Sequence, residues 1–244
     1  MGNLLGLPVQ ASTHAAEIDQ MTVLVHWLML ALFVGWGAFF VFVLVRFRRG
    51  ANPTASYVGA KGKLAKRIEW AIAVVEAVLL IFFAIPAWAR RVGQFPAESD
   101  AVVVRVVAEQ FAWNVHYPGP DGKFGRTDIT KIDPSNPIGL DRTDPDARDD
   151  VSIQNVLALP EGRPILVHLT SKDVIHSFGV YELRVKQDAI PGLDIPVWFV
   201  PNRVGEYDIA CSQLCGLGHY RMRGFAKIMR DADFRRWLAD PNRS

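Results

Sequence analysis

Two regimes of hydrophobic patterning divide the chain. Residues 22–45 run apolar without a formal charge, and a second apolar run occupies about 68–89. At about 1.5 Å per helical residue, each is long enough to cross a hydrocarbon core of about 30 Å. The pattern therefore predicts a transmembrane helical hairpin, with spans at about 22–45 and 68–89. Gly35 and Gly37 permit close approach of a neighbouring helix, and His26 and Trp27 sit near one end of the first span, where amphipathic rings favour the interface. Past residue 100 the pattern changes to short apolar runs at 101–108, 110–117, 151–157, 164–170, 174–185, 195–200, 204–210 and 224–229, separated by Gly, Pro, Asn and Asp. Many short runs with turn signals between them predict an all-β sandwich or barrel. The segment 231–238 reads as a short C-terminal helix with Asp231 as N-cap. Residues 1–91 are thus expected to form a tail and hairpin, and 92–244 a separate β-domain.

Charge orients this picture. The loop 46–67 carries Arg46, Arg48, Arg49, Lys61, Lys63, Lys66 and Arg67 and no acid, so the positive-inside rule places it in the cytoplasm. The N-terminal tail has no Lys or Arg, which agrees with an outside location, and the β-domain then lies outside too. Arg90 and Arg91 run against the rule but are outnumbered. No basic n-region marks a standard signal peptide. Glu69 and Glu76 interrupt the second span seven residues apart, on nearly one helix face. Carboxylates in lipid are costly, so that face is expected to look at a larger membrane partner. Residues 118–150 hold eight acids and five bases with no clear period, which reads as a long, functional or mobile insertion. A formal net charge of +2 with no basic stripe argues against a nucleic-acid partner.

The candidate chemistry sits at Cys211-Ser-Gln-Leu-Cys215-Gly-Leu-Gly-His219-Tyr-Arg-Met222, which holds the chain's only two cysteines. Thiolate, imidazole and thioether are soft and borderline donors that suit copper. A mononuclear blue-copper site needs one Cys, so the second thiolate raises the possibility of two coppers. A structural zinc site and a disulfide stay open as alternatives, although zinc patterns carry no Met. Gly216 and Gly218 argue for a loop after the strand at 204–210. A further imidazole must come from elsewhere. His14 lies in the tail, His26 in a span, His116 beside the polar insertion where exposure is expected, and His168 mid-strand. His176, where two strand-like runs meet, is the best candidate.

A two-span hairpin, then a β-domain with Asp173-Val-Ile-His176-Ser-Phe, then Val185-Lys-Gln-Asp-Ala-Ile-Pro-Gly192, then Cys-x3-Cys-x3-His-x2-Met, resembles subunit II of haem–copper cytochrome c oxidases over nearly the whole chain. The resemblance implies a cupredoxin-like Greek-key domain carrying a dinuclear copper A (CuA) centre. Its ligands would be His176, Cys211, Cys215, His219, Met222 and the backbone carbonyl of Gln213, with both thiolates bridging two copper ions. It implies electron transfer from cytochrome c, or a cytochrome c-bearing subunit, to haem in subunit I, where oxygen is reduced and protons are pumped. It also implies subunit III as a neighbour and a bacterial inner (cell) membrane as the location. Because the sequence has no Cys-x-x-Cys-His, the donor is expected to be a separate protein or subunit.

The sequence departs from the family at several positions. Gln213 stands where the family usually has a Glu that helps bind magnesium or manganese shared with subunit I, and a neutral amide offers only an oxygen. Phe111-Ala112-Trp113 replaces the usual Trp-Tyr-Trp at the donor-docking patch, so Phe111 takes the electron-uptake position, with Trp113 a possible substitute. His116 replaces a usual acid, while Asp173 matches an acidic docking position and Glu69 an acid at a proton-channel mouth. Glu76 has no counterpart. The rival readings are a quinol-oxidase-type subunit II with a structural role, and a membrane-anchored zinc or copper carrier.

Overall fold

The computed structural model describes residues 5–54, 57 and 62–240. Lys61 of the basic loop lies outside the described residues. The chain divides into two compact units: a helical one holding Glu17–Gln94, and a β-rich one holding Pro8–Ala16 together with the described residues from Phe95 onward.

In the helical unit, α1 (Ala15–Arg46) and α2 (Lys63–Leu79) form the arms. Leu80–Ala84 widen into a π-helical turn before α3 (Ile85–Val92). Pro86, in the first turn of α3, has no N–H to donate to the preceding turn, which accounts for the local change of pitch. Both stretches, Ala15–Arg46 and Lys63–Val92, are long and apolar enough to cross a membrane, and their apolar windows have no buried residue. A soluble protein's core helix would be covered, so these faces await a non-aqueous environment. Arg90 and Arg91, the cations that run against the charge rule, are both ion-paired with Glu17.

The β-rich unit is a sandwich of two five-stranded sheets. One has the order β3 (Val151–Gln154), β2 (Ala112–Tyr117), β1 (Val102–Glu109), β5 (Ile165–Ser171), β8 (Ile195–Phe199). The other has the order β4 (Val156–Pro160), β10 (Arg223–Met229), β9 (Gly205–Cys211), β6 (His176–Val180), β7 (Val185–Ala189). Alternating positions such as Val104, Val106 and Ala108 of β1 and Ile209, Ala226 and Ile228 of the other sheet turn inward, and one core joins both sheets. The run 151–157 splits between the sheets at Asn155, whose φ of 62° is left-handed, as Asn tolerates. Its side-chain oxygen and backbone N–H both bond the backbone of Trp113. The run 174–185 likewise divides into β6 and β7 at a turn ended by Arg184, with φ 53°.

Three local expectations change. Pro8–Ala16 are not a free tail: Ala11 N–H bonds Glu182 O at 2.8 Å, Ser12 Oγ bonds Leu183 O at 2.7 Å, and Ala11, Ser12 and His14 are buried. The last helix, α4 (Asp231–Ala239), starts one residue earlier than expected, with Arg230 at the N-cap and Asp231 already in the first turn. The stretch 118–150 is not structureless. Asp128, Asp133, Asp141 and Asp144 each accept the backbone N–H two residues on, from Thr130, Ser135, Thr143 and Asp146 respectively. These are Asx turns, and with Asp121, which accepts from Lys123 N–H in the same way, they account for five of the segment's eight acids. Ile138, Leu140 and Ala147 form a small second core against Val107.

Candidate metal centre

β6 pairs antiparallel with β9, placing Phe178 opposite Cys211 and Gly179 opposite Ala210. That register brings His176, at the start of β6, beside Cys211, at the end of β9. Residues 212–222 then fold back as a loop with a short 3-10 turn at His219–Arg221. Ser212 N–H bonds Ser177 O at 2.9 Å and tethers the loop to β6. Gly216 has φ +131°, a backbone conformation L side chains rarely adopt.

The potential ligands converge. One ligand atom each from His176, Cys211 and Cys215 lies within 4.8 Å of the others. The two Sγ atoms are 3.8 Å apart, and Cys215 Sγ is 3.5 Å from His219 Nδ1 and 3.7 Å from Met222 Sδ. His176 Nδ1 is 3.9 Å from Cys211 Sγ and 3.1 Å from Met222 Sδ. The carbonyl of Gln213 stands 3.1 Å from Cys211 Sγ. Both cysteines are free thiols, separated by well over the ~2 Å of a disulfide. His176, Cys215 and Met222 are buried, so the cluster is shielded on the core side, while Gln213 is exposed. Burial, reinforced by the neighbouring Cys211, pushes the Cys215 thiol up to about 11. A metal that bound here would have to displace that proton.

The residues around the cluster support it. Asp173, assigned to donor docking, has both oxygens engaged: Oδ1 with His176 Nε2 at 2.9 Å and Val174 N at 2.7 Å, and Oδ2 with Gln110 N at 2.7 Å. Burial alone would raise its pKa, yet these hydrogen bonds hold the carboxyl below the ordinary carboxylate value. A carboxylate on the far nitrogen of a histidine fixes its tautomer and points the other nitrogen at a metal. Trp113, the possible docking substitute, is fully buried in the core. Its ring stands edge-on to Phe178 at 5.6 Å and to His176 at 6.2 Å. Strand alternation turns it between the sheets, so it offers no surface to a partner. Phe111 is partly buried against the core and lies over the ligand loop: a Cβ at Gly218 would fall 2.3 Å from its ring.

His116 is not exposed: it is buried against Asp150 at 2.6 Å, with Phe124 edge-on at 4.9 Å. His168 faces Asp194 at 3.0 Å, away from the cluster. Glu69 is exposed and lines a groove of about 600 Å³ between α1 and α2, with Gly35, Trp36, Phe39 and Ile68. Glu76 is also exposed. Sequence reading gave Gln110 no role: its partners Asp173 and Cys215 lie 63 and 105 residues away.

Comparison with known proteins places these features in a family. Residues 102–228 match the family described as cytochrome c oxidase subunit II, periplasmic domain. The "Alternative cytochrome c oxidase subunit 2" of Bradyrhizobium diazoefficiens is 34% identical over 231 residues, covering 93% of this chain and 81% of that one. A "Probable cytochrome c oxidase subunit 2" of Rickettsia bellii is 29% identical over 241 residues, covering 98% and 84%. Among solved structures, the periplasmic domain of subunit II of cytochrome oxidase from Bradyrhizobium japonicum is 28% identical, with a TM-score of 0.43, over 59% of this chain and 94% of that one.

Proposed function

Because the chain belongs to the cytochrome c oxidase subunit II family, and so to an oxidoreductase complex, we propose that it is the electron-accepting subunit of a proton-pumping terminal oxidase that reduces O2 to water. The observation that carries this reading is the donor set: two free thiols 3.8 Å apart, with two imidazoles, one thioether and one carbonyl each within 3.5 Å of another member of the set. Two thiolates able to bridge, with a His for each side, suit a dinuclear copper centre better than a closed tetrahedral zinc site, which takes four Cys or His ligands. His176, Cys211, Cys215, His219, Met222 and the Gln213 carbonyl would hold the pair. When bound, the copper pair would supply one-electron redox chemistry between a cytochrome c donor and haem in subunit I. The protein's part is placement. The β6–β9 register sets His176 against Cys211, Asp173 fixes the His176 tautomer, and the buried core side excludes water.

The basic α1–α2 loop supports a cytoplasmic hairpin turn, with the β-rich unit on the extracytoplasmic side of a bacterial inner membrane. Subunits I and III are the membrane neighbours in this reading, and Glu69 serves a proton path into subunit I.

The test is spectroscopic. The full-length chain, purified in detergent and loaded with copper, should be purple and give a mixed-valence resonance with hyperfine structure from two equivalent copper nuclei. Cys215→Ser should abolish that signal and leave at most a mononuclear type. A colourless protein that takes only zinc would overturn the reading in favour of a carrier. Oxidation of quinol but not reduced cytochrome c by the assembled complex would support the quinol-oxidase alternative.

A further inference from the structure

Resting on the copper reading, we propose that Gln110 is a positioning residue that clasps the two halves of the metal centre together. The centre is built from segments far apart in sequence: His176 opens β6, while Cys215, His219 and Met222 come from the loop after β9. Gln110, in the tight turn between β1 and β2, reaches both. Its backbone N–H donates to Asp173 Oδ2 at 2.7 Å, and Asp173 Oδ1 accepts from His176 Nε2 at 2.9 Å. Its side-chain Nε2 donates to the Cys215 carbonyl at 2.6 Å. One residue thus links the carboxylate that orients the histidine to the peptide that carries the second thiolate.

The fit around this clasp is close. A Cβ at Gly216 would fall 2.7 Å from Gln110 Nε2, so the loop backbone approaches the amide as nearly as a glycine allows. Phe111, the next residue, covers Gly218 on the same loop. The side-chain chemistry is also specific. The Cys215 carbonyl needs a donor, and an amide supplies one without adding charge beside two thiolates and the Asp173 carboxylate. A carboxylate of the same length would present an oxygen to that carbonyl and a like charge to Asp173.

Substitution separates the two links, because only the Cys215 link uses the side chain. Gln110→Met keeps length and bulk and removes the donor, while the backbone bond to Asp173 stays. In the full-length, copper-loaded chain, the variant should release copper to a chelator about 10- to 100-fold more readily, the usual effect of losing a group that orients a metal ligand. Its resonance should change from two equivalent copper nuclei to two inequivalent ones, because the loop that carries His219 and Met222 is loosened and His176 is not. Gln110→Glu should reproduce both changes, which guards against a folding artefact specific to methionine. A wild-type spectrum and release rate in both variants, or a lowered melting temperature with an unaltered spectrum, would reduce Gln110 to an ordinary turn residue and overturn the proposal. A wild-type chain with no dinuclear signal would instead bring down the copper reading, and the clasp with it.

Discussion

Gly218 has no side chain because Phe111 occupies the space beside it. A Cβ there would lie 2.3 Å from the Phe111 ring. Gly218→Ala should therefore destabilise the β-rich unit by about 1–3 kcal/mol, the usual range for overpacking. Phe111→Ala in the same chain should recover part of that loss, because residues in contact are not additive. Denaturant titration of the four chains of this cycle measures the coupling, and strict additivity would show that the ring and the loop do not meet. At this scale the candidate ligands were legible from residue type and spacing: Cys211, Cys215, His219 and Met222 lie close together in sequence, and His176 sits at a strand junction. The places of Trp113 and Gln110 were not, because their partners lie tens of positions or more away, and Asp173 was read for its charge although its partner His176 is three residues on. Asp173 bonds His176 while staying exposed, and Trp113 turns between the sheets.

Among the elements, the segment 118–150 differs most from expectation. The stretch reads as a long, functional or mobile insertion, yet its aspartates work as turn-makers, with the D-x-T and D-x-S spacings at Asp128, Asp133 and Asp141 as the local signal. Two of its carboxylates also hold the segment in place: Asp150 accepts a hydrogen bond from His116 of β2, and Asp141 is ion-paired with Arg126 and Lys131. Stability should consequently depend on pH in two windows. Burial holds the His116 imidazole below its ordinary value, although Asp150 pulls the other way and Arg105 and Arg142 add to the depression. The unfolded chain then takes up the proton first, so this contribution is present above about pH 6.5 and is lost as pH falls through that value and toward the lower folded one. Hydrogen bonds from Lys131, Thr143 and Arg126 hold the Asp141 carboxyl well below the usual carboxylate range. Its contribution is present above about pH 4 and is lost as the solution becomes more acid. Chemical denaturation between pH 7 and pH 3 should show both declines. His116→Phe should flatten the upper limb and Asp141→Asn the lower one, whatever each costs at neutral pH. Unaltered slopes would mean these pairs do not carry the pH dependence.

For the whole molecule, α1 and the α2–α3 stretch leave their apolar residues exposed, including Phe33, Trp36, Phe40, Trp70 and Phe82. Glu69 and Glu76 are exposed on the second arm, so lipid alone is a poor environment for it. The chain should accordingly co-purify from mild detergent with a haem-bearing, many-span subunit, and recovery of a lone, stable chain would argue against that assembly. Within the complex, Glu69→Gln should slow steady-state turnover several-fold while copper reduction by the donor stays fast. Stopped-flow reduction measured beside oxygen uptake separates the two steps, and unchanged turnover would return Glu69 to an interfacial anchor.

The hairpin, the β class and the soft-donor loop are legible in the amino-acid order. Each depends on local quantities: the length of an apolar run, the period of alternation, and the identity of donor atoms a few residues apart. Tertiary structure alone decided the pairing of β6 with β9 that brings His176 to Cys211, the docking of residues 8–16 on the β-rich unit, and the burial of His116 and Trp113. It also placed Gln110 between Asp173 and Cys215. These depend on contacts between residues tens to more than a hundred positions apart, and no local period or spacing encodes which distant residues will meet.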